Sequence, residues 1–221
     1  RGPAQAQARA RGPAQVQARF PFALIALAMF SGTFAGLLVV GNLSPLVISL
    51  GLTKTQAVAA ISFFAIGNAI GRISWGYAFD YFGYKSIPLS LAVFAIACLP
   101  LLSPLSDTLV LMIVTLLGFG FGANFVIYAS TVSRKFGMDD FPKLYPICFL
   151  SYGLAGIIGP GIGGRLADYT GSYGPALIIS IAIVGSAAAL TSLKLSCLEE
   201  ESSSEGDPSE DGLAVPNAVD Q

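Results

Sequence analysis

Six long apolar stretches, parted only by short polar joints, constrain this chain more than any other feature. They run over about 20–48, 55–79, 86–104, 108–132, 142–165 and 173–195. Roughly 20 apolar residues as a helix cross about 30 Å of hydrocarbon, so each stretch is long enough to span a membrane. In lipid a spanning backbone must satisfy its own hydrogen bonds, which favours helices. The joints SLGLTK, DYFGYK, SPLSD, RKFGMDD and ADYTGS each carry glycine, proline or charge, the usual breaks between elements. Only 11% of the 221 residues are charged, against roughly 25% in a soluble domain. The expectation is an all-α membrane protein with six transmembrane helices over residues 20–195.

Two polar segments flank the bundle. Residues 1–19 hold a tandem repeat, RGPAQAQARA then RGPAQVQARF, whose last residue, Phe20, opens the first span. With no acid and two Gly-Pro pairs it reads as a disordered basic segment. Residues 196–221 read as a disordered acidic cytoplasmic tail, since eight of the thirteen acids lie in the last 23 residues. The chain opens on Arg1, with no recognisable cleavable signal, and reads as a fragment or a processed chain.

Orientation follows from the cations. With the N-terminus inside, Arg1, Arg9, Arg11, Arg19, Lys85, Arg134, Lys135, Lys143 and Lys194 fall on the cytoplasmic side, and Lys54 and Arg165 fall outside. Cytoplasmic joints carry the excess of Lys and Arg, so both ends are expected inside.

Several classes of function drop out. Histidine is absent, which removes the commonest general base and metal ligand. Cys98, Cys148 and Cys197 are far apart, odd in number and without CxxC spacing, so they suggest neither a disulfide framework nor zinc. No phosphate loop, acidic dyad or nucleophile elbow occurs. The basic repeat lacks interleaved aromatics, which argues against nucleic acid. Neither an enzyme nor a cofactor is expected.

Arg72 stands out. It lies eight residues before Asp80, about 12 Å along a helix, and so well within the hydrocarbon layer. A charge there costs roughly 3 kcal/mol or more and by default marks a substrate or ion site. A structural ion pair, or snorkelling toward the headgroups, is the plainer alternative. Residues four apart share a helix face, so Asn68 can orient Arg72. Phe121, Phe125 and Tyr128 form one stripe on the fourth span, with Asn124 in the same stretch. Tyr145 and Tyr152 share a face of the fifth. Such stripes are more often core than site. Glycine is abundant, 25 residues, and within spans usually signals close helix packing. Gly118, Gly120 and Gly122 thin the fourth span. Pro160 is expected to kink the fifth.

Six helices, both ends inside, one buried Arg and a DxxGxK loop together resemble the C-terminal half of a major facilitator superfamily transporter. G76-Y-A-F-D80-Y-F-G83-Y-K85 resembles the GxxxDxxGxK loop of that superfamily, though Tyr84 stands where the first of two basic residues is usual. That resemblance implies a conformational latch built on Gly76, Asp80, Gly83 and Lys85, with Asp80 meeting a helix N-terminus or Arg134 and Lys135. G159-P-G-I-G-G164 is similar to the GPxxGG helix motif and puts Gly159, Pro160, Gly163 and Gly164 at a helix kink.

A narrower resemblance runs through MFSGTFAGLLVVGNLSPL (29–46), SFFAIGNAIGRISWG (62–76), GFGFGANFVIY (118–128) and FLSYGLAGIIGPGIGG (149–164). These are similar to the oxalate/formate antiporter branch, which includes monocarboxylate carriers. It implies that Arg72 binds a substrate carboxylate, with Asn68, Phe121, Asn124, Phe125 and Tyr152 around it. The oxalate carriers add a Lys where Tyr152 stands, so a monocarboxylate such as lactate, formate or pyruvate fits better than a dianion. Animal monocarboxylate carriers have an Asp at the position of Asn68, which cannot take up a proton. The implied partners are a small carboxylate, the lipid bilayer and a missing N-terminal six-helix half or a second copy, in a multi-pass protein of the cell membrane. An oxalate-type antiporter, and a truncated bundle that transports nothing, are the alternatives.

Overall fold

The computed structural model describes residues 3–199, with side chains from Phe20 onward apart from residue 197. Seven α-helices run in order: α1 (Pro3–Gly41), α2 (Leu43–Ser49), α3 (Lys54–Phe82), α4 (Ser86–Cys98), α5 (Asp107–Thr170), α6 (Gly174–Leu193) and α7 (Leu195–Glu199). No strand occurs among the described residues. The described part is therefore all-helical, and four helical runs within it are long and apolar enough to cross a membrane: Phe20–Gly41, Lys54–Leu102, Asp107–Thr170 and Gly174–Leu193.

Two of those runs turn back on themselves. As straight helices, 49 and 64 residues would reach about 73 and 96 Å, two to three times the hydrocarbon thickness. The first reverses at Gly83, whose φ of 58° and ψ of −135° suit a residue without Cβ. Across that turn Ser86 Oγ donates to Ala78 O at 3.1 Å. The second reverses at Gly137 (φ 78°, ψ 164°), the non-helical point inside α5. The rings of Phe125 and Tyr152 then come within 5.4 Å, although a straight helix would hold them about 40 Å apart. The four runs thus supply six apolar rods, with α5 forming two limbs, 107–136 and 138–170.

The bundle meets the demands of an apolar solvent locally. Thr33, Ser90, Thr115, Ser180 and Thr191 each return their hydroxyl to a carbonyl three or four residues back, so these donors do not face hydrocarbon unpaired, whereas the buried hydroxyls of Tyr84, Tyr128 and Thr131 have no hydrogen-bond partner among the described residues. Cations collect at the two ends. Lys85, Arg134, Lys135, Lys143 and Lys194 lie at one, Lys54 and Arg165 at the other. At the second end a Thr53–Gln56 capping box starts α3, and Gln56 Nε2 donates to Asp107 Oδ2 at 2.8 Å, tying α3 to α5.

Several expectations need correcting. The first span is not one rod: α1 stops at Gly41 and α2 follows from Leu43. Pro160 lies inside α5, whose non-helical point is Gly137, within the RKFGMDD joint where the sequence placed a break. A free φ reverses a chain, whereas a proline only removes one donor. α1 begins at Pro3, so the repeat continues as helix where disorder was expected; Ala, Gln and Arg are strong helix formers. The tail likewise opens with the short helix α7. Residues 200–221, and the disorder expected of them, lie outside the described residues.

Candidate functional site

The site is built on a crossing of two backbones. Gly67 and Gly71 of α3 face Gly118 and Gly122 of α5, each pair spaced i, i+4. A Cβ on Gly67 would run into Thr115 O, on Gly71 into Phe119 O, and on Gly118 into Phe64 O. At Gly122 it would stand 2.6 Å from Asn68 O and 2.9 Å from Arg72 N. Small residues at this spacing let membrane helices approach without intervening side chains. Trp75 fixes the register, its Nε1 donating to Phe119 O at 3.1 Å.

Arg72 leaves α3 immediately beside this crossing. It lies ten residues before the end of α3 at Phe82, about 15 Å along the helix axis. The side chain is exposed on the flank of this bundle. Its Cζ sits 4.1 Å from the centroid of the Phe125 ring, the cation–π geometry that holds a guanidinium without using its N–H donors. No ion pair or hydrogen bond to Arg72 occurs among the described residues. The fork is therefore anchored and its donors are unspent.

Phe125 is one rung of an aromatic ladder. Its edge meets Phe121 at 5.5 Å and Tyr152 at 5.4 Å. Beyond Tyr152 the ladder continues through Phe149 (5.1 Å), Tyr145 (5.7 Å) and Phe141 (5.0 Å). Arg72, Phe125 and Tyr152 are thus neighbours, Arg72 on the Phe125 ring and Phe125 against Tyr152. Phe121 lies beneath them, buried against Phe64. Asn68 is half-buried one turn away, its Oδ1 without a partner. Phe141 and Phe149 were missed, although they continue the Tyr145–Tyr152 face at i, i+4 spacing.

Asn124 is not with this group. It is buried, its Nδ2 donates to Phe121 O at 3.2 Å, and its Oδ1 faces Gly32 of α1. One residue is about 100° around a helix, so Asn124 and Phe125 cannot share a face. The expected latch is also not closed. Gly83 makes its turn and Gly76 packs near Val126, but Asp80 and Lys85 are exposed and Asp80 makes no ion pair among the described residues. Tyr84 explains this. The ring occupying the usual basic position is buried, and the Arg134 guanidinium lies 5.7 Å above it. Lys135 Nζ donates instead to Leu198 O at 3.0 Å.

The GPGIGG stretch makes a second close crossing, against α1. A Cβ on Gly159 would stand 3.0 Å from Phe34 O, and Gly41 leaves no room between itself and the Pro160 ring. Asn42, which sequence reading overlooked, staples the crossing. Its buried Nδ2 donates to Leu38 O at 2.9 Å and to Pro160 O at 3.1 Å. Replacing Asn42 by leucine strands that amide's partners and forces bulk against Gly163. Buried hydrogen bonds of this kind contribute about 1–3 kcal/mol, so Asn42→Leu is expected to lower the melting temperature by about 5 °C. Thermal unfolding in detergent measures it; an unchanged midpoint would remove the staple from the account.

A sequence profile described as Major Facilitator Superfamily matches residues 22–216. Among curated proteins, the chain is 29% identical to the oxalate:formate antiporter of Oxalobacter formigenes, over 72% of this chain and 39% of that protein. It is 28% identical to apicoplast pyruvate carrier 1 of Toxoplasma gondii, over 66% of this chain and 26% of the other. It is 25% identical to monocarboxylate transporter 12 of Homo sapiens, over 62% and 28% respectively. The aligned part thus covers between 26% and 39% of the length of these relatives.

Proposed function

The chain belongs to the Major Facilitator Superfamily, and from that premise we propose that it forms one six-helix half of a carrier for small monocarboxylate anions. Such a protein is an integral, multi-pass membrane transporter rather than an enzyme. Alternating access moves the substrate; no covalent chemistry is involved. The observation that carries the reading is Arg72. At mid-span its guanidinium rests on Phe125 with no carboxylate paired to it. A planar fork with free donors takes one carboxylate through two hydrogen bonds and stays ionised in an apolar setting. Tyr152 and Phe125 wall the place where the rest of a small acid would lie.

Asn68 orients the fork, and its partnerless Oδ1 borders the same space. Phe121 supports Phe125 from beneath. We place both chain ends on the cytoplasmic side of the plasma membrane, which the five cations at one end of the bundle against two at the other support. A second six-helix unit, from the same gene product or a second copy, completes the cavity. Asp80, Gly83, Lys85 and Gly76 act at that inner joint against the completing unit, since Asp80 makes no ion pair among the described residues. Gly159, Pro160, Gly163 and Gly164 act as a packing seam.

One rival stays in transport. Two of the names above point to dianion or pyruvate carriers, and a second cation from the completing unit would suit oxalate. Uptake of labelled formate, lactate, pyruvate and oxalate by the complete gene product separates the readings. Saturable uptake of monoanions over oxalate is expected. Oxalate alone would overturn the monocarboxylate assignment, and no saturable uptake of any would leave the non-transporting bundle. Tyr152→Lys adds a cation beside Phe125 and is expected to shift preference toward oxalate by roughly tenfold, the worth of one charge-assisted bond.

A further inference from the structure

The bundle carries a second ligand-shaped feature, far from Arg72 and on its outer flank. Between the basic ends of α4 and α6 lies an open groove of about 480 Å³. Lys85, Leu89, Ala92, Ala188, Ala189 and Ser192 are among the residues that line it, and Lys194 stands in the sequence between two lining residues, Ser192 and Leu195. From Lys85 to Ala92 it runs seven residues, about 10 Å down the helix. Phe82, which lines it, is an exposed apolar side chain, which suits hydrocarbon rather than water.

The two lysines beside the groove differ from the other cations of this end. Arg134 is turned onto Tyr84, and Lys135 onto the Leu198 carbonyl. Lys85 and Lys194 are exposed, and neither makes an ion pair among the described residues. Asp80 and Glu199 are the exposed acids on the neighbouring elements, and neither is paired with them.

We propose that this groove is a binding site for an anionic glycerophospholipid, its acyl chain along the alanines and its phosphate between Lys85 and Lys194. Anionic headgroups concentrate near exposed cations at the inner membrane surface. A second copy of the chain is a poorer occupant. A twofold axis along the membrane normal would bring the same lysines together, like charge against like. Bound there, the lipid bridges α4 and α6 next to the Gly83 turn.

The chain reconstituted in bilayers of equal phosphatidylglycerol and phosphatidylcholine, extracted and weighed intact by native mass spectrometry, tests the site. Phosphatidylglycerol is expected to be retained in preference. Each cation near the surface contributes about fivefold, so Lys85→Gln with Lys194→Gln should weaken that preference about 25-fold. Ala188→Leu fills the groove and should displace lipid while both cations remain. Equal retention of the two lipids by the unaltered chain would overturn the proposal without any variant having to fold. So would undiminished phosphatidylglycerol on the double variant.

Discussion

Arg72→Gln abolishes carboxylate uptake while the protein still inserts and melts at the same temperature; that is the expected result for the complete gene product. The two halves of this statement have separate causes. Each hydrogen bond from a charged donor to a carboxylate contributes about 1.5–3 kcal/mol, so losing the fork costs at least about 100-fold in uptake efficiency. Stability should hold because Arg72 has no ion-pair partner among the described residues to be left behind. Removing one member of a buried pair would strand the other, but only the Phe125 ring loses a neighbour here. Arg72→Lys keeps the charge without the planar fork and should fall between, near a tenfold loss. Normal uptake kinetics in Arg72→Gln would sink the assignment. A large drop in melting temperature would recast Arg72 as structural.

Gly71→Val has the opposite signature: folded protein is lost, whatever the substrate. A Cβ at Gly71 points at the Phe119 carbonyl, and one at Gly118 at the Phe64 carbonyl. Backbone cannot rotate away as a side-chain tip can, so α3 and α5 must separate. Overpacking alone costs about 1–3 kcal/mol, and separation also breaks the Trp75–Phe119 bond and moves Arg72 off Phe125. Gly118→Val should behave alike. Gly185→Ala in α6 is the contrast, because a Cβ there meets nothing within 4 Å and the swap should stabilise by roughly 0.5–1 kcal/mol. Monodisperse yield on size exclusion reads all three. Equal yields for Gly71→Val and Gly185→Ala would mean that the crossing is not what holds the bundle.

Arg72 was legible because a charge in an apolar run is locally anomalous. Gly118 and Gly122 were legible as residues that thin the fourth span, but their partners Gly67 and Gly71 were not singled out, although they repeat at the same four-residue spacing. Six rods were legible from length alone. What stayed hidden depended on direction or distance. Asn42 and Pro160 are 118 residues apart, and only folding joins them. Whether Tyr84 would point inward and draw Arg134 away from Asp80 was not written in the loop pattern. That a reversal falls in RKFGMDD was legible, but that Gly137 carries it depends on a φ of 78° that the sequence does not show. Asn124 was legible and misread, since helical angle alone separates it from Phe125.

The hydrogen bond from Trp75 to Phe119 has a practical consequence. Trp75 is the only tryptophan in the chain, and it stands one turn beyond Arg72 with its indole in contact with the opposite helix. The protein therefore carries its own optical probe, placed at the seam between α3 and α5. Its emission wavelength follows the polarity of that seam alone, so titrating a carboxylate against the fluorescence of unlabelled protein would follow movement at the crossing directly.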